Sequence, residues 1–305
     1  MPEHIAERVT LIANPAAGRG RGARALPAAR AAFAALGARV VVTERAGDER
    51  RLAGEALDAG ATAIAVLGGD GTWSNVAAAI LETGSRCVLA PLDAGTGSDY
   101  VKTVRSPAHD PVAMAALIAA GRCVTVDAGA IDDGAPAPTY FINVASFGFA
   151  AAATAVAART RWLSGDALYA YAALTQLFGF RGFALGIETP AGAEDVATPQ
   201  LLVAAAVGRR FGGRFAIAPD ADPTDGRLDV VRIGDAGPLR RARLFSVAGR
   251  GAHVREREVR VLREPWTRLT FDAPPRYEAD GELRQAVTAT VTVRCLTSAL
   301  RVVSG

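Results

Sequence analysis

The chain has 305 residues, half of them hydrophobic and 21% charged, with Lys+Arg 34 against Asp+Glu 31 and a formal net charge of +3. That is too apolar for a disordered polymer and too mildly basic to predict nucleic-acid binding. The longest uncharged apolar stretch, residues 146–158, falls short of the ~20 residues a membrane-spanning helix needs. With no basic-then-apolar leader either, the expectation is a soluble, cytoplasmic protein.

Cys87, Cys123 and Cys295 have no paired spacing, which excludes a compact Cys-based zinc site and argues against a disulfide framework. Lys102 is the only lysine and follows no glycine run, so a Gly-Lys-Ser/Thr phosphate loop is excluded. No Gly-x-Ser-x-Gly provides a hydrolase nucleophile.

In chain order, Val9-Thr-Leu-Ile-Ala13 reads as a buried strand ending in the turn Asn14-Pro15. An Ala-rich helix follows the glycines at 18, 20 and 22 and stops at Gly37. Residues 39–43 read as a strand, 48–59 as a helix, 63–67 as a strand, 76–81 as part of a helix and 87–90 as a strand. Uniformly apolar strands alternating with helices predict a parallel sheet covered on both faces, with ligands at the strands' carboxyl ends.

The loops after the first, third and fourth strands are all glycine-rich: Asn14 to Gly22, Gly68-Gly-Asp-Gly-Thr72, and Leu92 to Asp99. Glycine admits a ligand close to the backbone, and the N–H groups opening the next helix attract anions. Three such loops at one edge predict a phosphate-bearing ligand, with Arg19 or Arg21 as a charge clamp. Asp70 would repel phosphate unless a metal ion or a proton in transit balances it, which fits phosphoryl transfer. The alternative for Asp70 is a turn residue capping the next helix. Gly18-x-Gly20-x-x-Ala23 with Glu44 also matches a relaxed dinucleotide fingerprint, but Asn14 to Ala17 separate its first glycine from the strand.

From about residue 127 the pattern becomes strand-rich. Strands are expected at 140–144, 200–207, 228–233, 259–262, 268–271 and 287–293, and helices at 147–159, 166–178 and 239–248. The expected active site is the cleft between the two domains. Asp220-Ala-Asp-Pro-Thr-Asp-Gly226 reads either as a site for a hard cation or as an acidic surface turn. Glu278-Ala-Asp-Gly-Glu282 reads either as a hairpin turn or as a base presented to substrate. The Arg-rich segment 240–263 is a solvated helix and loop, or a patch for anionic lipid headgroups.

These motifs together resemble the diacylglycerol kinase catalytic-domain family, which includes bacterial lipid kinases and the sphingosine and ceramide kinases. The matching residues are Asn14-Pro-x-x-Gly18, Gly68-Gly-Asp-Gly-Thr72, Gly95-Thr-Gly-x-Asp99, Phe141-x-Asn-x-Ala-Ser-x-Gly148, Asp225-Gly-x-Leu-Asp229 and Asp280-Gly-Glu282. The glycine-rich Asp70 loop is shared with NAD kinases and phosphofructokinases, whereas the Asn-Pro start and the Asp-Gly-Glu close favour lipid kinases.

The resemblance implies an α/β nucleotide-binding domain at residues 1–130, completed by 296–305, and a β-rich, sandwich-like lipid-substrate domain at 131–295. It implies ATP and Mg²⁺ as cofactors and transfer of the γ-phosphate to a lipid hydroxyl. ATP would meet Asn14, Pro15, Ala16, Ala17, Gly18, Thr43, Gly69, Asp70, Gly71, Thr72, Trp73, Ser74, Asn75 and Thr96. Glu282 matches the base and Asp70 the acid that positions Mg²⁺ and the γ-phosphate, with Asp99 and Asp127 in a supporting acidic network. A structural Mg²⁺ would sit at Asp222, Asp225 and the carbonyl of Arg227. Expected partners are a lipid substrate at a membrane's inner surface, through peripheral contact, and a second copy of the chain, since family members are often dimers. The sequence departs from the family where Ser74-Asn75 replaces Asn-Glu and Ser98 replaces Asn. A kinase of a soluble substrate such as NAD, or a non-catalytic nucleotide-binding regulator, remains as the alternative.

Overall fold

The structure is a computed structural model that describes residues 5–95, 97–160, 166–213 and 215–305. The chain divides into two compact units, residues 1–128 with 297–305, and residues 129–296.

The first unit alternates strand and helix: β1 (Val9–Ala13), α1 (Ala17–Ala34), β2 (Arg39–Val42), α2 (Asp48–Asp58), β3 (Ala63–Gly68), α3 (Asp70–Thr83), β4 (Val88–Asp93), α4 (Asp99–Val104), α5 (Pro111–Ala119) and the start of β5 (Val124–Asp132). The order β2-β1-β3-β4 is parallel throughout. β1, β3 and most of β4 are buried, so they read as apolar runs and do not alternate. Phe33 of α1 and Met114 and Ile118 of α5 join Leu11, Ala65 and Leu67 of the strands in one core cluster. The α5 start is fixed by Asp110, whose carboxylate accepts the N–H groups of Val112 and Ala113, with Pro111 in the first turn. Because the chain leaves β1 first toward β2 and then returns to β3 on its other side, the switch point lies at the carboxyl ends of β1 and β3.

The second unit contains β6 (Thr139–Phe141), β7 (Val144–Gly148), α6 (Phe149–Arg159), α7 (Asp166–Gly179), β8 (Gly186–Thr189), β9 (Gly192–Asp195), β10 (Gln200–Ala206), β11 (Leu228–Gly234), α8 (Pro238–Ala248), β12 (Val259–Glu264), β13 (Trp266–Thr270), β14 (Arg276–Ala279), β15 (Glu282–Gln285) and most of β16 (Thr290–Val302). One antiparallel sheet runs β12-β11-β10-β7-β14-β15, and β9, β8, β13 and β16 form a second antiparallel run. Phe141, Phe147, Val203, Val230, Leu269, Val291 and Val293 fill the layer shared by the two, as in a sandwich. The other face of the first sheet packs Ala204 and Val231 against Phe149 of α6 and Leu244 of α8. The last residues of β16 belong to the first unit, where Arg301 and Val302 pair in parallel with Val88 and Leu89.

Several boundaries differ from the expected ones. The strand expected at 140–144 is two strands, broken at Ile142-Asn143. The helix expected from residue 147 starts at Phe149, because Ala145 to Phe147 pair with β10 and β14 and Gly148 (φ 89) ends the strand. The last strand starts at Thr290 and runs far beyond 293, while β5, β8, β9, β14 and β15 are further strands. Cys87 is a buried core residue whose thiol is pushed up to about 12 by burial.

Candidate functional site

In the first unit, the loops after β1, β3 and β4 converge. Asn14 donates its backbone N–H to the carbonyl of Leu67 at 2.8 Å, joining the ends of β1 and β3. Its side-chain oxygen accepts the N–H of Ala16 at 3.0 Å, and its Nδ2 reaches Thr72 Oγ1 at 3.2 Å and Glu49 Oε1 at 3.4 Å. One asparagine thus shapes the Pro15-Ala16-Ala17 turn and ties it to the loop after β3. Gly18 (φ +56) approaches the third loop so closely that a Cβ there would lie 1.9 Å from the Ala94 carbonyl oxygen. A Cβ on Gly95 would lie 2.7 Å from the Cα of Gly69. Three backbone segments therefore touch through glycine, which no side chain would permit.

Asp70 opens α3, where a carboxylate suits the positive end of the helix. Its Oδ1 accepts the Tyr100 N–H at 3.1 Å, which places it beside the start of α4 and Asp99. Asp99 is 2% exposed, with the Lys102 ammonium 3.6 Å from its Oδ1. Asp93, at the end of β4, accepts the Gly95 N–H at 2.8 Å and faces His109 Nδ1 at 3.1 Å. Asp93 thus holds the third loop, Asp99 closes it at the start of α4, and Asp70 stands at the head of α3.

The remaining expected contacts divide. Gly69, Gly71 and Asn75 are half-buried and Thr72 and Ser74 are buried at the end of β3 and the start of α3, and Thr43 is buried just after β2. Thr43 donates its N–H to the Ala13 carbonyl at 2.9 Å. The Trp73 indole is fully buried and donates to the Val66 carbonyl at 3.1 Å, so this side chain packs the core. Asp127, 1% exposed, accepts the Ser298 N–H at 2.7 Å and so anchors the returning end of β16. Thr96 lies outside the described residues. Glu49 was not singled out from the sequence. It is 4% exposed on the first turn of α2, and its Oε2 has no hydrogen-bond partner among the described residues. An acid just after a strand at this sheet edge was the signal available.

In the second unit, Ala279 pairs with Glu282, so Asp280-Gly281 is a two-residue turn with both φ values positive (49° and 88°). Asp-Gly is the dipeptide such a type I′ hairpin prefers. The Asp280 carboxylate accepts three backbone N–H groups, from Ile142 at 2.8 Å and from Asn143 and Val144 at 3.0 Å each. These bonds draw the chain aside at Ile142-Asn143, which is why the expected strand breaks there. Glu282 begins β15 with its side chain 43% exposed and 3.0 Å from Arg284. Glu278, on the same hairpin, is instead 5% exposed and bound at 2.6 Å by the Thr154 hydroxyl. Burial pushes its carboxyl above the usual range. The cluster is a hairpin, and of its two glutamates Glu282 is the accessible one.

Asp222 and Asp225 lie exposed on one loop. Asp222 Oδ1 accepts from the Thr224 N–H and hydroxyl, and Asp225 Oδ1 accepts the Arg227 N–H at 2.9 Å. Two hard oxygen donors and a nearby carbonyl fit a divalent cation chemically. Among the described residues, no group of three or more His, Cys, Asp or Glu side chains is arranged to hold a metal.

Residues 8–131 match the diacylglycerol kinase catalytic domain, and residues 143–304 match the YegS C-terminal NAD kinase beta sandwich-like domain. A Mycobacterium tuberculosis protein named diacylglycerol kinase is 32% identical over 85% of this chain and 84% of its own. A Pseudomonas putida protein named "Probable lipid kinase YegS-like" is 30% identical over 81% of this chain and 79% of its own. A crystal structure described as a diacylglycerol kinase from Bacillus anthracis str. Sterne matches in fold with a TM-score of 0.70 at 18% identity, covering 98% of this chain and 97% of that one. By its two domain matches and these relatives, the chain belongs to the diacylglycerol kinase catalytic-domain family of YegS-like lipid kinases.

Proposed function

We propose that this kinase uses ATP with Mg²⁺ to phosphorylate the hydroxyl of a lipid. The observation that carries the reading is the convergence of three glycine-built loops at one sheet edge, with Asp70 at the head of a buried helix among them. Loops of this kind bind a polyphosphate through backbone N–H groups, and Asn14 and Thr72 hold two of them together. Glu49 Oε2 is an acceptor suited to a ribose hydroxyl. Bound Mg²⁺ would neutralise phosphate charge, with Asp70 and Asp99 as the first unit's acids to orient it. In the second unit, Glu282 is the accessible carboxylate suited to accept the acceptor hydroxyl's proton. Asp222, Asp225 and the Arg227 carbonyl would hold a second, structural cation.

A membrane-borne acceptor is supported by Leu174 and Phe178 on α7 and Leu239 on α8, which are 56%, 67% and 88% exposed. The helices they stand on are tied together where Arg241 donates to the carbonyls of Leu177 and Phe180, both at 2.9 Å. No helix among the described residues is long and apolar enough to cross a membrane, so contact would be peripheral. The test is transfer of labelled γ-phosphate from Mg-ATP to a panel of diacylglycerol, sphingosine, ceramide and phosphatidylglycerol. Label entering the organic phase is expected. Label confined to an aqueous acceptor would replace the lipid with a soluble substrate, and binding without transfer would leave a regulator.

A further inference from the structure

Within the second unit, a cleft of ≈ 590 Å³ is lined by β9, β11, β12 and the start of α8. β9 and β12 are both end strands in their sheets, so this is an open rim of the sandwich. Leu228 and Val230 of β11 point into the sandwich core, and Arg232 is the next residue on that face. It is only 7% exposed, and its partner across the β11–β12 pair is Arg260. Two guanidinium-bearing residues directly opposite on one sheet face repel each other unless an anion joins them.

The carboxylates around the cleft are mostly engaged elsewhere. Glu258 is held by Arg240 at 2.9 Å and Arg257 at 3.0 Å, and Asp235 by Arg241 at 2.6 Å. Among the described residues Arg232 is paired only with Glu194, whose Oε2 lies 3.5 Å from Nη2 and whose side chain is 60% exposed. Nε and Nη1 of Arg232 have no hydrogen-bond partner among the described residues. A buried guanidinium with incomplete hydrogen bonding is disfavoured, and an oxyanion that displaced Glu194 from Nη2 would gain a second, parallel bond from the adjacent Nε or Nη1. The N-terminus of α8, an eleven-residue helix whose N-cap Gly237 lines the cleft, adds its positive end.

We propose that this cleft binds a phosphate-bearing anion, with Arg232 as its buried donor and Glu194 as a built-in competitor for that donor. The volume admits a phosphomonoester with a small organic group and exceeds what inorganic phosphate fills. None of these residues belongs to the phosphoryl-transfer reading above, so the site stands or falls separately.

The test is equilibrium dialysis of the full chain against inorganic phosphate and glycerol 3-phosphate at fixed ionic strength, with sedimentation on phosphatidylglycerol vesicles as a parallel arm. Arg232→Met is expected to weaken binding at least about tenfold, and Glu194→Gln to strengthen it severalfold. Phosphate held by the glycine loops would ignore both substitutions. Stronger binding to vesicles than to glycerol 3-phosphate identifies a lipid headgroup as occupant, the reverse order a soluble phosphomonoester, and either result upholds the site. Unchanged affinity in both variants overturns it, as does wild-type protein that takes up no phosphate beyond chloride controls. Should Arg232→Met fail to fold, the exposed Glu194→Gln and Arg260→Ser carry the same decision, with tighter and weaker binding expected.

Discussion

The two units use the dipeptide Asp-Gly in opposite ways. In the first, Asp70-Gly71 opens α3, and its aspartate accepts the Tyr100 N–H. In the second, Asp280-Gly281 closes a hairpin, and its aspartate gathers three N–H groups from a neighbouring strand entry. A carboxylate that collects three backbone donors is a structural pin, whereas the role proposed for Asp70, at the mouth of the glycine-built loops, is chemical. The difference shows that the aspartate of a conspicuous motif can be the rivet while the next acid, Glu282, stays accessible.

That contrast can be broken by mutation. The largest effect is expected from Asp70→Asn and Glu282→Gln, which should each lower turnover by roughly 10²–10⁴-fold with melting near wild type. The Arg284 pair lost with Glu282 is half-exposed and contributes less than about 1 kcal/mol. Full activity in both variants would remove their assigned roles. Next comes Gly18→Ala, which forces a methyl onto the Ala94 carbonyl at positive φ. The strain is on the order of 3 kcal/mol and is relieved by parting the loops, so ATP affinity should drop roughly 100-fold in a titration. Asp280→Ala should instead act on the fold, destabilising it by about 3 kcal/mol in urea unfolding. A loss of activity at unchanged stability would transfer Asp280 from rivet to reagent.

The smallest effect sharpens the comparison through pH. Backbone N–H groups of Glu44 and Arg45 hold Asp48 of the first unit below the usual carboxylate range, so its stabilisation is present above about 3.8 and lost as pH falls. Burial shifts Glu278 of the second unit the other way. Below about 4.5 both its folded and unfolded forms keep the proton. As pH rises through and beyond that value the unfolded chain ionises first, and stability declines. Glu278→Gln should therefore raise the melting temperature at pH 8 more than at pH 4.5, and Asp48→Asn should flatten the acid limb. Equal shifts at both pH values for Glu278→Gln would show that its carboxyl is not held protonated.

Much of this was legible in the chain itself. The buried strands of the first unit announce themselves because a parallel sheet covered on both faces must be apolar at every position, as in Ala63 to Leu67. Asn14-Pro15 and the three glycine loops were also readable, since few residues tolerate such backbone approach. Short antiparallel strands were harder: β14 and β15 have four residues each, and Ala145-Ser146-Phe147 carries as much helical as extended character until its register with β10 and β14 is known.

Local chemistry therefore determined which backbone segments could approach an anion, because glycine, proline and helix starts act over a few residues. Only the folded chain decided which acids stay accessible. Asp280, Glu278 and Glu282 lie within five positions, yet one is tied to three amides, one is buried against Thr154, and one faces solvent. Those fates depend on partners more than 120 residues distant in the chain, Ile142 and Thr154, and no local pattern encodes such a pairing.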